Sequence, residues 1–202
     1  MLSFGPRAAD FRALAGIQKV ERGGNALQEN QARELKLQSL TALMEWLQAT
    51  SLAVFIHQRA WAFTTIELVH VAAISLVIGT IAIVDLRLLG FASAKRPFTE
   101  LARAVLPSTW VAFVIAMLAG SLLFISQATA YFESTMFRIK IFLIVLAGIN
   151  MLVFELVTVR SVQKWELEPV PPLPARLAGG ISLTCWVLVV NFGRWTGFTV
   201  MK

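Results

Sequence analysis

The sequence predicts an all-α integral membrane protein, a four-helix bundle of spanning segments preceded by an interfacial amphipathic helix. Three observations carry that class. Hydrophobic residues make up 57% of the 202 residues and charged residues only 15%, with a mean hydropathy of +0.70, whereas soluble domains carry about 25% charged residues. Four long apolar stretches follow one another along the chain, each long enough to cross a hydrocarbon core of roughly 30 Å at about 1.5 Å per helical residue. The basic residues that give a net charge of +6 sit at the ends of those stretches, as loops obeying the positive-inside rule require. A nucleic-acid binder would instead gather them with aromatics on a solvated face. The expected partner is therefore a lipid bilayer and no nucleic acid.

In chain order, residues 1–43 read as a polar tail or an upstream extension. Up to about residue 34 they are polar, poor in apolar residues and interrupted by Gly23-Gly24, which reads as a mobile tail. Leu37, Leu40, Leu43, Met44 and Leu47 then recur at helical spacing and predict an amphipathic helix through Gln48. Met44 followed by EWLQATSLAVF reads as a natural start, so residues 44–202 form the transmembrane domain. Residues 1–30 mix basic and acidic groups with no apolar core, so no secretory signal is expected there. Ser51 to Phe63 carries Phe55, Trp61 and Phe63 beside His57, Gln58 and Arg59, too short and polar to span, and is placed in the headgroup layer.

The first span covers about residues 65–88. Its seventeen residues from Leu68 to Val84 hold no carboxylate, Lys or Arg, and Glu67 and Asp85 bracket them. The second covers about 106–129, drawn from 29 residues without formal charge between Arg103 and Glu133, with Pro107 in its first turn and Tyr131 at the interface. The third, about 139–159, lies between Lys140 and Arg160 and takes Asn150 and Glu155 with it. The fourth, about 177–198, follows the stiff connector EPVPPLPAR and has Arg194 in its last turns. Seven basic residues, Arg87, Lys95, Arg96, Arg103, Arg160, Lys164 and Arg176, belong to the first and third loops. Five, Arg59, Arg138, Lys140, Arg194 and Lys202, lie at the opposite side. That balance puts the first and third loops in the cytoplasm and both ends of the transmembrane domain outside.

Ionisable groups at membrane depth cost roughly 2.5–3.5 kcal/mol at a helix centre and need partners. Antiparallel spans sort them into two layers. An outward-opening polar patch is expected from Glu67, His70, Lys140, Asn150, Asn191 and Arg194, with Arg194 paired to Glu67. An inner layer holds Asp85, Arg87 and Glu155, where Asp85 and Arg87 at a helix end cost little. Both layers are also readable as helix glue. The small residues Ala72, Ser75, Gly79 and Ala82 on the first span, and Ala112, Ala116 and Gly120 on the second, predict packing seams, with a homodimer as the alternative use.

Ligand counting restricts the chemistry. A transmembrane haem b takes two imidazoles, and the chain has two histidines, His57 and His70, thirteen residues apart. A copper site wants clustered His, Met or Cys, whereas the six methionines are scattered and the one cysteine, Cys185, lies in an apolar run. No disulfide can form within the chain. Walker A, G-x-G-x-x-G and G-x-S-x-G patterns are missing, so no catalytic residues are assigned and no enzyme is expected.

The runs WLQATSLAVFIHQRAW, IELVHVAAISLVIGTIAIVDLRLLG, FRIKIFLIVLAGIN and NFGRW resemble an uncharacterised family of small proteobacterial four-helix inner-membrane proteins, a domain of unknown function. The matching elements are Glu67, His70, Gly79, the DLRLLG run at 85–90, Lys140, the Ala-Gly-x-Asn at 147–150 and Gly193-Arg194, covering about Glu45 to Phe198. In that family a His commonly follows the Phe matching Phe154, where this chain has Glu155. The resemblance implies a multi-pass protein of the bacterial inner membrane and no established activity. Three functions are expected in order: a non-enzymatic accessory or binding subunit with a membrane or periplasmic protein partner; an electron-transfer or metal-handling protein using His70 as ligand to haem b or copper; and passage of protons or a small solute along Glu67, His70 and Asn150.

Overall fold

The computed structural model describes residues 8–91, 97–158, 162, 165–166 and 170–200, with side chains from residue 25 onward except 26. Lys95, Arg96, Arg160, Lys164 and Lys202, which enter the charge balance above, lie outside the described residues. All described secondary structure is helical: α1 (Ala8–Gln48), α2 (Ser51–Gln58), α3 (Ala60–Leu88), α4 (Phe98–Ser126), α5 (Ala128–Glu133), α6 (Thr135–Val153) and α7 (Leu173–Val200), with a π-helical turn at Phe154–Thr158 after α6. Four helices are long and apolar enough to cross a membrane: α3, α4, α6 with its π turn to Val157, and α7. At 23 to 29 residues they are roughly 35–44 Å long.

The chain divides into two compact units between Glu45 and Trp46. The first consists of α1 up to that point. Where a mobile tail is expected, a continuous helix starts at Ala8. Ala, Leu, Glu, Gln and Arg dominate the segment, and their intrinsic helix propensity carries it across Gly23-Gly24. Its described side chains through Leu43 are exposed.

In the second unit, the expected headgroup segment breaks at Arg59, whose backbone is extended (φ −112°, ψ 100°). Trp61 and Phe63 thus belong to α3. The Thr50 hydroxyl caps α2 by accepting from the Ala53 N–H at 3.4 Å. Gln48 reaches the far side of the bundle's second connection, its side-chain oxygen accepting from the Thr129 hydroxyl at 2.7 Å. That bond places α2 at the end where α4 turns into α6, called here the outer end.

Pro107 lies inside α4, nine residues after its start at Phe98, and not in a first turn. Proline removes the donor for the Arg103 carbonyl, and the next two hydroxyls, of Ser108 and Thr109, both fold back onto the Val105 carbonyl. At the other end of α3, Gly90 adopts φ 85°. The Phe91 N–H donates to the Leu86 carbonyl and the Gly90 N–H to that of Arg87, a Schellman closure for which glycine suits the left-handed position.

The spans pack in the order α4, α3, α7, α6: α3 lies against α4, α7 against α6, and α3 and α7 join the two hairpins. The small-residue stripe of α4 packs as expected, with Ala112 and Ala116 buried. That of α3 does not: Ala72, Ser75 and Gly79 are exposed, and Ala73 and Val77 are buried instead. His70 and Thr80 explain the rotation. Each bonds to α4, His70 to the Ala116 carbonyl and Thr80 to the Thr109 hydroxyl, both at 2.8 Å. At 100° per residue, Ala72, Ser75 and Gly79 point away from that face. In lipid a polar group turned outward costs more than a small residue left unpacked.

Candidate functional site: the outer end of the bundle

His70 is held by its Nδ1, 2.8 Å from the Ala116 carbonyl oxygen. A carbonyl only accepts, so the proton sits on Nδ1 in the neutral ring and Nε2 keeps its lone pair. The imidazole fits against α4 because residue 120 is glycine: a Cβ there would lie 2.8 Å from the His70 Cε1. Ala116 and Gly120 therefore form the niche for this ring.

Across the bundle, the half-buried Lys140 side chain of α6 runs along α7 at Gly193, where a Cβ would stand 3.6 Å from its Nζ. Its ammonium lies within electrostatic reach of His70. Glu67, one turn before His70, acts on Tyr131 of α5. The Tyr131 phenol is pushed above its usual range first by burial and then by the Glu67 carboxylate. Tyr131 in turn packs with Phe124 of α4 and Phe137 of α6, which stack at 5.4 Å. This aromatic cluster ties the second connection to both hairpins at the level of Glu67.

Three residues of the expected patch do not join it, Asn150 because it lies at the other end of the bundle and Asn191 and Arg194 because they face outward from α7. Asn150 is ten residues along α6 from Lys140, about 15 Å at helical rise, and its amide donates to the Ala178 carbonyl at 2.9 Å, near the start of α7. An antiparallel hairpin puts that contact at the inner end. Asn191 is exposed and its amide returns to the Val187 carbonyl of its own helix. Arg194 is exposed, its guanidinium 4.7 Å over the Phe198 ring, and does not pair with Glu67. A guanidinium near a boundary gains more from an aromatic face and headgroup water than from a half-buried carboxylate.

The inner layer also differs from expectation. Asp85 and Arg87 do not share solvent at a helix end; they are 4% and 0% exposed. Two residues apart on a helix, they point to different neighbours. The Arg87 guanidinium donates to the Glu166 carbonyl at 2.8 Å, and the Glu166 carboxylate accepts from the Thr99 hydroxyl. Trp165 packs on Phe98, which also meets Phe154, in a cluster with Leu88, Ala102, Val162 and Ala175. The third connection thus caps the inner end. Glu155 stands outside this arrangement, exposed on the π turn.

Among the described residues no three His, Cys, Asp or Glu side chains converge as metal ligands. His57 is exposed on α2, and His70 has an ammonium for a neighbour. No family model matches the chain, and no curated protein or solved structure is found similar to it. Fold and composition define a multi-pass α-helical membrane protein.

Proposed function

We infer that the protein is a non-enzymatic accessory or binding subunit of a bacterial inner membrane, engaging a membrane or periplasmic protein at its outer end. The supporting observation is the unmatched polarity there. Arg194 and Asn191 are exposed on α7, while Glu67 and Lys140 are half-buried without an ion pair among the described residues. Such groups at an interface suit an external counterpart better than the chain's own glue. The bacterial inner membrane rests on the sequence runs that carry the proteobacterial resemblance, which no family model matches. The test is a photo-reactive side chain at position 194 in intact membranes. A discrete heavier adduct that disappears with Glu67→Gln supports the reading; a self-adduct identifies a homodimer; lipid adducts alone contradict it.

One observation favours a second reading. A metal-ligating histidine commonly donates its other ring N–H to a carbonyl, as His70 does to Ala116. Extracted protein with a Soret band, or with stoichiometric copper lost on His70→Ala, would establish His70 as a ligand.

A further inference from the structure

We propose that Asp85 anchors a binding site for one unit of positive charge, a proton or a sodium-sized cation, in the seam between α3 and α7. The carboxyl is 4% exposed, and its Oδ2 has no hydrogen-bond partner. The Ser182 hydroxyl of α7 lies within hydrogen-bonding reach of the carboxyl. The seam around it is tight: a Cβ on Gly179 would lie 2.9 Å from the Leu88 Cβ and 3.0 Å from the Asp85 carbonyl oxygen. Glycine and serine are what α7 offers at this level.

Among the described residues, the neighbouring charges are committed elsewhere. Arg87, on the same helix, faces Glu166, and Arg103 on α4, Glu155 after α6 and Arg176 on α7 are exposed. Asp85 makes no ion pair among the described residues. The nearby Asn150 amide is spent on Ala178. An ionised carboxylate buried without a counter-charge is far too costly to persist, so something of charge +1 must accompany it. A divalent ion would want several hard ligands, and among the described residues no group of three acidic, His or Cys side chains exists. A proton on Oδ2 satisfies the balance directly. A monovalent cation satisfies it using Oδ2, the Ser182 oxygen and main-chain carbonyls, the kind of oxygen cage that replaces a hydration shell. Because α3 and α7 join the two hairpins, occupancy of this site holds the hairpins together and emptying it loosens them.

This site lies at the opposite end from the partner-binding surface and stands or falls independently of it. The test uses the full chain in lipid nanodiscs, with infrared spectra and thermal unfolding of the parent, Asp85→Asn and Ser182→Ala. If the ligand is a proton, the parent shows a protonated-carboxyl C=O band at neutral pH that Asp85→Asn lacks and Ser182→Ala shifts. If it is a cation, sodium chloride raises the Tm of the parent over equal choline chloride. Asp85→Asn abolishes that rise, and Ser182→Ala weakens half-saturation by about five- to tenfold. An ionised carboxylate in the parent with a Tm indifferent to sodium would overturn the proposal.

Discussion

Gly120 and Gly79 form a natural experiment at the scale of single residues. An alanine at 120 would put its Cβ 2.8 Å from the His70 ring, whereas nothing lies within 4 Å of a Cβ at 79. Gly120→Ala should therefore destabilise by about 1–3 kcal/mol through overpacking. Gly79→Ala should be neutral or stabilise by roughly 0.5–1 kcal/mol from helix propensity. Thermal unfolding of the two variants checks the pair; equal shifts would mean that His70 does not occupy this niche. Tyr131, the single tyrosine, allows a second test, since its phenolate absorbance reads one group. Burial and then Glu67 raise its folded-state value, so ionisation should begin above the ordinary value of about 10. A raised acid contributes stability that is present below that value and lost as pH rises through the folded one. Glu67→Gln should bring the midpoint part of the way back, burial being the larger cause. Glu67, His70 and Lys140 were legible in the sequence as ionisable groups at one depth. Tyr131 and the Ala116–Gly120 niche were not, because neither an aromatic at an interface nor a small pair on a span reveals what it faces.

Element ends hold the parts that sequence pattern rendered least well. Asp85 and Arg87 look like a cheap charged end, yet the third connection folds over them and buries both. Hydropathy places a loop in solvent by default and carries no information about a return contact across 79 residues. Arg87→Ala should leave the Glu166 carbonyl unpartnered and cost about 1–3 kcal/mol, with faster proteolysis between α6 and α7. Arg103→Ala, at an exposed position, should stay within about 0.5 kcal/mol. Equal effects in the two variants would remove Arg87 as the pin of the cap. The four spans themselves were legible because lipid demands long uninterrupted apolar runs. Their ends were not, since helices such as α4 continue well past the expected bounds, here from residue 106 back through Arg103 to Phe98. The rotation of α3 was misjudged for a clear reason: small residues permit a seam, but polar side chains needing partners decide which face turns inward.

On the scale of the whole molecule, two hairpins joined by α3 and α7 carry one polar end with unmatched groups and one end sealed by a cap. This arrangement requires an even number of crossings in the second unit. Leu27–Gln48 with Ser51–Gln58 also passes as one broken apolar pair, so a fifth crossing is the specific alternative. Single cysteines introduced in a Cys185→Ser background at Leu27, Phe91, Glu133 and Val170, probed with a membrane-impermeant maleimide on intact spheroplasts, decide between them. Labelling of positions 27 and 133 from outside, with 91 and 170 reached only after lysis, is the predicted result; any pattern that puts 91 and 133 on one side, or 27 and 133 on opposite sides, would contradict the four-span account.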